Sequence, residues 1–450
     1  MPKRSLKKII LRDLGDGLVL RRSTRADADA LADFNSRIHS EEGFDKPDER
    51  VGIWAKDLLV SNHPTFGEGD YTIVEETSSG KIVSSMNLIS QNWLFDEIPI
   101  KVGRPELVGT LTDFRNRGLV RQQFEVVHQW SAERGEDIQA ITGIPYYYRL
   151  FGYEMTMDLD GGRAGYKPQV PQLKEGQEEP YRLRAATEVD VPFIKQTYEY
   201  GSRRYLVRSD MSSELIRYEV MGKSPKNINR MEFQILETPE GEAVGYIAHP
   251  GWTWGSMLPA MLYELKAGVS YGAVTPTVAR YLYRTGEAYA AEAKNPNFAS
   301  FGFWLGSKHP VYEAFKERLP RVRPPYAWYI RVPDLPGFIR KIAPVLERRL
   351  EGSPYTGHSG EIKITFYGSG LRMVLEKGRL TMVEDYRPTP VGHAGDAAFP
   401  YLTFLQLVFG YRTLEEIRYA FPDCWTDREE IRGLLEAMFP KQPSDLWPVS

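Results

Sequence analysis

The chain has a single cysteine, Cys424, in 450 residues. One thiol cannot close an internal disulfide, and it excludes zinc sites that need two or more thiolates from one chain. Long hydrophobic runs are also missing: the most apolar window, residues 401–411 (YLTFLQLVFGY), is well short of the roughly 18 to 20 residues that cross a bilayer. Neither sign of charge dominates, with 57 Lys plus Arg against 60 Asp plus Glu and a net charge of −3, so a polybasic nucleic-acid binder is disfavoured. The basic opening MPKRSLKKII leads into no apolar stretch and no small-residue cleavage site, and does not read as a secretion signal. None of the seven histidines forms a close pair at metal-ligand or triad spacing. The expectation is a cytoplasmic protein in a reducing setting, with no metal, no membrane segment and no nucleic-acid partner.

What is present is average globular composition, 42% hydrophobic and 26% charged, in a chain long enough for three domains at about 150 residues each. The first two thirds carry a hidden repeat. Leu20-Arg21-Arg22-Ser23-Thr24 returns as Leu183-Arg184-Ala185-Ala186-Thr187, an offset of 163. A hairpin signal at residues 71–88 returns at residues 233–247, with turn glycines Gly80 and Gly241 offset by 161. The strand at residues 138–143 (IQAITG) has its counterpart at residues 298–303 (FASFGF). Residues 161–180, rich in Gly, Pro and charge, read as a linker, and a second break falls at residues 331–337. The remainder reads as an independent α+β domain, with strands at 361–367 and 371–385 and two helices opened by capping boxes, Thr413 with Glu416 and Thr426 with Glu429. The boundaries are therefore 1–163, 164–333 and 334–450.

In the first copy, a strand at residues 106–111 (ELVGTL) runs into the turn 112–121 (TDFRNRGLVR) and then a helix with Val120, Phe124 and Val127 on one face and Gly135 as its stop. Strand, Arg- and Gly-bearing turn, and helix N-terminus make an anion site in principle. Free amides point outward, the helix dipole adds partial positive charge, and Gly118 lets an oxyanion approach the backbone. Read alone, R-x-x-G is a weak spelling and an ordinary basic turn is the simpler reading. Tyr146, Tyr147 and Tyr148 read as packing residues, His128 as structural, and Cys424 as a packed thiol without a histidine near it in sequence.

The run Arg115-Asn116-Arg117-Gly118-Leu119-Val120-Arg121 resembles the acetyl-CoA loop of GCN5-related N-acetyltransferases, and residues 145–154 (PYYYRLFGYE) resemble the enhanced intracellular survival (Eis) family. The last third, with Phe409-Gly410-Tyr411-Arg412 and Phe439-Pro440-Lys441, is similar to the sterol-carrier-protein-like domain of that family. The likeness covers essentially the whole chain. It implies an α/β (α+β) architecture of two tandem acetyltransferase-like domains, the second degenerate, followed by a carrier-like α+β domain. It implies one acetyl-CoA per chain, held by Val108, Gly109 and Thr110 on the strand and by Arg115, Asn116, Arg117, Gly118, Leu119, Val120 and Arg121 in the loop. In the second copy the corresponding stretch, Pro276-Thr277-Val278-Ala279, lacks both the arginine and the glycine.

The resemblance also implies roles. Acyl transfer from a thioester to an amine needs a neutral nucleophile, a stabilised oxyanion and a proton for the departing thiolate. The family places its general acid three residues before Phe-Gly-Tyr, which is Tyr148 here, with Tyr147 as fallback; a strand amide near Thr110 would meet the oxyanion. The general base would be the C-terminal carboxylate of Ser450, carried by the apolar tail Leu446-Trp447-Pro448-Val449. Glu41, Glu42 and Asp45 could line an acidic amine pocket or form a solvated run. A homohexamer is implied, with a small-molecule or lysine amine as substrate. Two rivals stand beside this reading: an acyl or aminoacyl transferase with another donor, and a non-catalytic lipid- or partner-binding protein.

Overall fold

The computed structural model describes residues 8–388 and 395–447. In the first lobe, β1 (Ile10–Gly15), β2 (Leu18–Arg22), β3 (Tyr71–Glu76), β4 (Lys81–Phe95) and β5 (Ile98–Thr110) pair antiparallel in chain order. α1 (Ala28–Ile38) and α2 (Glu49–Val60) fill the connection between β2 and β3. After β5 comes α3 (Leu119–Glu133), then β6 (Ile138–Ile141), parallel to β5, and β7 (Glu154–Leu159). Leu119, Phe124, Val127 and Trp130 of α3 recur at helical spacing and are buried in the lobe's core with Phe34, Trp54 and Ile73. Gly135, at φ 65°, lets the chain turn out of the helix as the spacing predicts.

The second lobe repeats this plan. It contains β8 (Gly162–Tyr166), β9 (Arg182–Ala185), α4 (Val191–Ser202), β10 (Val207–Ser209), β11 (Met231–Glu237), β12 (Ala243–Pro250), β13 (Met257–Ala260), β14 (Leu262–Leu265), the long α5 (Tyr271–Glu292), β15 (Ser300–Phe303) and β16 (Arg321–Arg323). Its strands form two sheets, ordered β14-β12-β11-β9 and β13-β15-β8-β16. The hairpin with its turn at Gly241 and the strand at the end of the repeat both stand where the internal similarity puts them.

The lobes exchange strands, which the sequence does not suggest. β17 (Tyr326–Arg331) follows the second lobe in sequence, yet it lies between β6 and β7 and completes the first sheet. Conversely β8 follows the first lobe and lies between β15 and β16 of the second. The segment 161–180 is therefore not a linker at its start, and a boundary between 163 and 164 falls inside β8. The glycines that suggested a linker serve close packing. A Cβ at Gly162 would stand 2.1 Å from the Phe303 carbonyl oxygen, and one at Gly165 would stand 2.3 Å from that of Arg318. β10 of the second lobe also pairs with the far end of β4.

In the third lobe, α6 (Leu335–Glu351) precedes β18 (Gly360–Thr365), β19 (Gly370–Glu376), β20 (Arg379–Tyr386), β21 (Ala397–Ala398) and β22 (Trp425–Thr426), with the sheet ordered β20-β19-β18-β21-β22. The stretch 371–385 is not one strand: Lys377 and Gly378, at φ 49° and 81°, turn it into a hairpin. Helix α7 (Leu414–Ala420) has its capping box at Thr413 and Glu416, but α8 (Glu429–Met438) begins from Arg428 without a side-chain cap. Thr426 is instead taken into β22, paired with Ala397. Phe338 and Phe409 of this lobe stack at 5.5 Å and meet Phe95 of β4, in one core shared with Trp93, Ile100 and Val102.

The exchange makes each lobe's stability depend on the other. Gly162→Val forces a side chain into the Phe303 and Trp304 backbone and is expected to cost about 3 kcal/mol. A fragment ending at residue 163 is expected not to fold alone, because β6 and β7 lose the strand between them. Urea unfolding of the variant and circular dichroism of the fragment check both.

Candidate active site

The cleft in the first lobe begins where two strands stop pairing. β5 and β6 are joined only at Val102 with Ile138 and Gly103 with Gln139. Beyond Gly103 they part, so one edge of β5 has no strand beside it. On its other side β5 stays on β4 but is bulged: Gly109 faces Ser85 and Glu106 faces Asn87, with an irregularity between them. Leu107 there has φ 51°, a conformation that costs a branched side chain of order 1 kcal/mol and persists only where the surroundings enforce it. The bulge turns the end of β5 outward, and a cleft of about 920 Å³ opens between residues 106–110 and residues 141–143.

Val108, Gly109, Thr110, Arg115, Asn116, Gly118, Leu119, Val120 and Arg121 all border this cleft. Gly109 admits helix α1: a Cβ there would stand 2.5 Å from Ile38 Cγ2. Thr110 is fixed by its hydroxyl against Ser84 at 2.7 Å and by its carbonyl, which accepts from Arg115 Nε at 3.3 Å. Asn116 and Gly118 both adopt positive φ, 62° and 74°, and Gly118 caps α3, a helix with no acidic residue in its first turn. The arrangement leaves free amides and exposed guanidinium groups at the head of a 15-residue helix. Arg117 differs from the expectation. It donates to the Asp113 carbonyl, lies over the Phe114 ring at 4.9 Å and borders a separate hollow with Asp13 and Asp16. Alternate residues of so tight a turn cannot all face one side.

Tyr148 enters the cleft from the opposite wall, in a short 3-10 turn after β6. The exchanged strand holds that turn: the Tyr146 amide donates to Tyr329 Oη at 2.6 Å, and the rings of Tyr148 and Tyr329 meet edge to face at 5.6 Å. Tyr148 is buried, and no hydrogen bond engages its hydroxyl among the described residues. Burial, and next the charge of Glu106, push its pKa well above the ordinary phenol value. The near balance between a phenol and a thiol expected from reference values is therefore lost in the resting cleft, where Tyr148 keeps its proton firmly. His128 is occupied with Tyr153 Oη at 2.9 Å, and burial pulls it down to about 3. Glu41, Glu42 and Asp45 are exposed and do not line the cleft, as a solvated run would not. The Cys424 thiol is buried and pushed up to about 12.

Several cleft residues escape sequence reasoning, Glu106, Ile228 and Asn229 among them. Glu106, buried beside Arg104, borders the cleft at the bulge, and burial raises its pKa. Ile228 and Asn229 reach it from the second lobe, more than 100 residues away, and no local spelling marks them. Ser450 lies outside the described residues. The tail leading to it is anchored: the Leu206 amide donates to the Pro443 carbonyl, the Asp445 amide to the Val207 carbonyl, and the Trp447 amide to Ser209 Oγ. Trp447 is buried against Tyr198 and stacked on Phe233 at 5.9 Å. It borders a second cavity of about 210 Å³ that shares Thr142, Ile228 and Asn229 with the cleft.

The second lobe lacks an equivalent opening. Residues 276–279 lie inside α5, so the counterpart of the first lobe's loop is the shorter connection 266–270, which has Gly268 but no arginine. By strand register Gly109 corresponds to Glu264, and by the repeat offset Ile38 corresponds to Gly201. Small and large have changed places: a Cβ at Gly201 would stand 2.0 Å from Glu264 Oε2. Arg204 and Tyr271 bond the Glu264 carboxylate at 3.0 Å each, and His309 packs beside it, so polar side chains fill that space.

The comparisons agree with this geometry. Residues 23–156 match the family model of the acetyltransferase (GNAT) domain. The match falls within the first lobe and takes in the turn at Arg115 to Arg121 and Tyr148. The chain is thus an enzyme of the acetyltransferase kind, and its fold is that of larger GNAT proteins. A protein from Enterococcus faecalis described as a probable N-acyltransferase has 13% identity and a TM-score of 0.65, covering 96% of this chain and 100% of its own. A GCN5-related N-acetyltransferase from Kribbella flavida has 14% identity and a TM-score of 0.61, covering 96% and 98%. An Eis protein from Mycobacterium abscessus has 12% identity and a TM-score of 0.54, covering 97% and 98%. No curated protein matches the chain. Among the described residues, no helix is long and apolar enough to cross a membrane.

Asp445, in the tail, has a pH signature. Burial, and the nearby Glu264, Asp160 and Asp158, push its carboxyl up to about 7, with Arg204 opposing. A folded-state pKa above the ordinary carboxylate value favours folding at low pH, and that contribution is lost as pH rises from about 4 to about 7. Asp445→Asn is therefore expected to melt higher than the parent at pH 8, with the gap narrowing at pH 5 and closing only near pH 4. Thermal melts at these pH values read it.

Proposed function

We propose that the chain is an acetyl-CoA-dependent N-acetyltransferase that moves an acetyl group to a primary amine by direct attack. The observation that carries this is the parted β5–β6 edge, which runs straight into the amide-rich turn at the head of α3. A pantetheine arm can pair with an unpartnered strand edge, while a pyrophosphate meets the free amides, Arg115 and Arg121. Acetyl-CoA is here a substrate, and the residues along the cleft fit its extended, anionic shape.

In the reaction, the amine nitrogen bonds to the thioester carbon and the C–S bond breaks. A strand amide near Thr110 stabilises the oxyanion, Tyr148 gives its proton to the departing thiolate, and a carboxylate takes the proton of the amine. Burial raises the Tyr148 pKa above that of a thiol, so the transfer is uphill in the resting cleft; a thiolate departing into the same water-poor cleft is itself desolvated, which raises its basicity towards that of the phenol. The carboxylate of Ser450 is the base of choice. From Trp447 three residues span at most roughly 10 Å, and they start beside a cavity that shares Thr142, Ile228 and Asn229 with the cleft. Glu106 is the second reading, favoured by its place in the cleft wall.

The amine enters on the side of the smaller cavity. Asp158, Asp160 and Asp445 border it with Trp254, Trp304 and Trp328, which suits a cationic amine. The hexamer implied by the family resemblance belongs to the same proposal, and light scattering measures it.

Release of free CoA from acetyl-CoA, followed across diamines, polyamines, aminoglycosides and lysine peptides, tests the function. Tyr148→Phe is expected to lower kcat by roughly 10² to 10³ with the acetyl-CoA KM within a few-fold. Deleting Val449 and Ser450 is expected to lower kcat by roughly 10² and to remove the acidic limb of the pH profile, while Glu106→Gln leaves that limb in place. The reverse pattern assigns the base to Glu106. If neither change reduces the rate, neither carboxylate is the base.

A further inference from the structure

The tail after α8 is tied down along its backbone as far as Trp447. Besides the amide bonds that link Leu206, Asp445 and Trp447 across to β10, the Val207 amide donates to Ser444 Oγ at 3.2 Å and the Gln442 amide to the Gly410 carbonyl at 3.0 Å. Asp445 therefore has a fixed backbone, and its side chain is set against the loop after β15: a Cβ on Gly306 would stand 3.0 Å from Asp445 Oδ1. The carboxyl so placed accepts no hydrogen bond among the described residues, while its oxygens are not among the sealed ones and the residue borders the smaller cavity.

Its neighbours are acidic. Asp158 and Asp160 border the same cavity, and Glu264 of β14 acts on it from the second lobe. Arg204, after α4, is the opposing charge, but its guanidinium already bonds Glu264 at 3.0 Å. The other charged groups nearby are engaged elsewhere: Arg230 donates to the Lys223 carbonyl at 2.7 Å, and Arg323 lies over the Trp304 ring at 3.8 Å beside Asp160. Burial keeps His309 neutral and the phenols of Tyr198, Tyr205 and Tyr312 protonated. An ionised Asp445 thus meets three carboxylates and no donor, and either a proton on it or a cation in the cavity relieves that repulsion.

We infer that Asp445 is a latch on the tail: the tail seats when this carboxyl carries a proton or when a cationic acceptor lies in the smaller cavity, and it loosens when the carboxylate stands alone among its acidic neighbours. Acceptor entry and tail seating are then one event. The proton's part rests on the fold alone; the acceptor's part rests on the acetyltransferase reading above and extends it, because the tail leads to Ser450. Burial first, and then the facing carboxylates, push the Asp445 carboxyl up to about 7, so the proton's contribution to seating is complete below about 4 and is lost as pH rises through about 7.

Hydrogen exchange of the full-length protein tests the latch at the amides of Leu206, Val207, Asp445 and Trp447, with core amides of β3 as reference and rates corrected for intrinsic exchange. The protection of the tail amides is expected to fall by on the order of 10² between pH 5 and pH 8. Asp445→Asn removes that dependence and stays protected at pH 8, and Asp160→Asn, with one facing carboxylate fewer, loses less than the parent. At pH 8, 1,4-diaminobutane restores protection in the parent, 1,4-butanediol does not, and neither acts on Asp445→Asn. A fall of the same size in Asp445→Asn, or an undiminished one in Asp160→Asn, overturns the latch. Protection restored by both additives or by neither overturns the cation's part and leaves the proton's. A latch that responds as expected in a protein that acetylates no amine stands, while the transferase reading falls.

Discussion

Two residue pairs hold β5 to β6, and the end of that pairing is the constraint on which the rest of the molecule depends. Backbone amides and carbonyls beyond Gly103 have no strand on that side, and unpaired main-chain groups away from bulk water carry a substantial penalty. The chain does not close the gap. It enforces it with the bulge at Leu107, with Gly109 drawn in against Ile38, and with a left-handed cap at Gly118 that starts α3 beyond the opening. In the proposed function, this strand edge kept open by several independent devices is the binding surface for an extended ligand with an anionic end.

The strand exchange explains how the opening is kept rigid. Because β17 fills the place between β6 and β7, the far wall of the cleft is braced by chain that has already passed through the second lobe. Tyr329 on that strand supports both the backbone at Tyr146 and the ring of Tyr148. The turn bearing Tyr148 is thus set only when both lobes are folded. Docking of the third lobe through Phe338 and Phe409 onto Phe95 gives the tail a fixed point of departure, and β10 with Ser209 holds it as far as Trp447.

Much of this was legible in the sequence. The repeat, its hairpins, helix α3 and the turn from Arg115 to Arg121 follow from periodicity, glycine placement and internal similarity, all local signals. What could not be read has a common cause, namely contacts made between segments distant in the chain. The glycines at 161, 162 and 165 have linker-like spelling, yet two of them are glycine because carbonyls of the second lobe press on them. Thr426 with Glu429 has the spelling of a capping box, but pairing with Ala397 draws the threonine into a strand first. Arg117 shares a motif with its neighbours and turns away from them, and Asn229 reaches the cleft only through tertiary contacts.

The second lobe keeps the strand-and-helix plan of the first but fills the place of its cleft with side chains. Replacing the Gly109–Ile38 contact by Glu264 against Gly201 conserves volume between strand and helix, so packing survives. It also brings a carboxylate into the interior, and a buried charge must be paired. Arg204 and Tyr271 meet that need, and with His309 packed beside them they fill the space that is open in the first lobe. Once committed in this way, the lobe can act only through its periphery. Its loop 223–230 borders the cleft through Ile228 and Asn229, while its strand β10 pairs with β4 and holds the tail at Trp447. The neighbouring cleft is thus built partly from this lobe's edges.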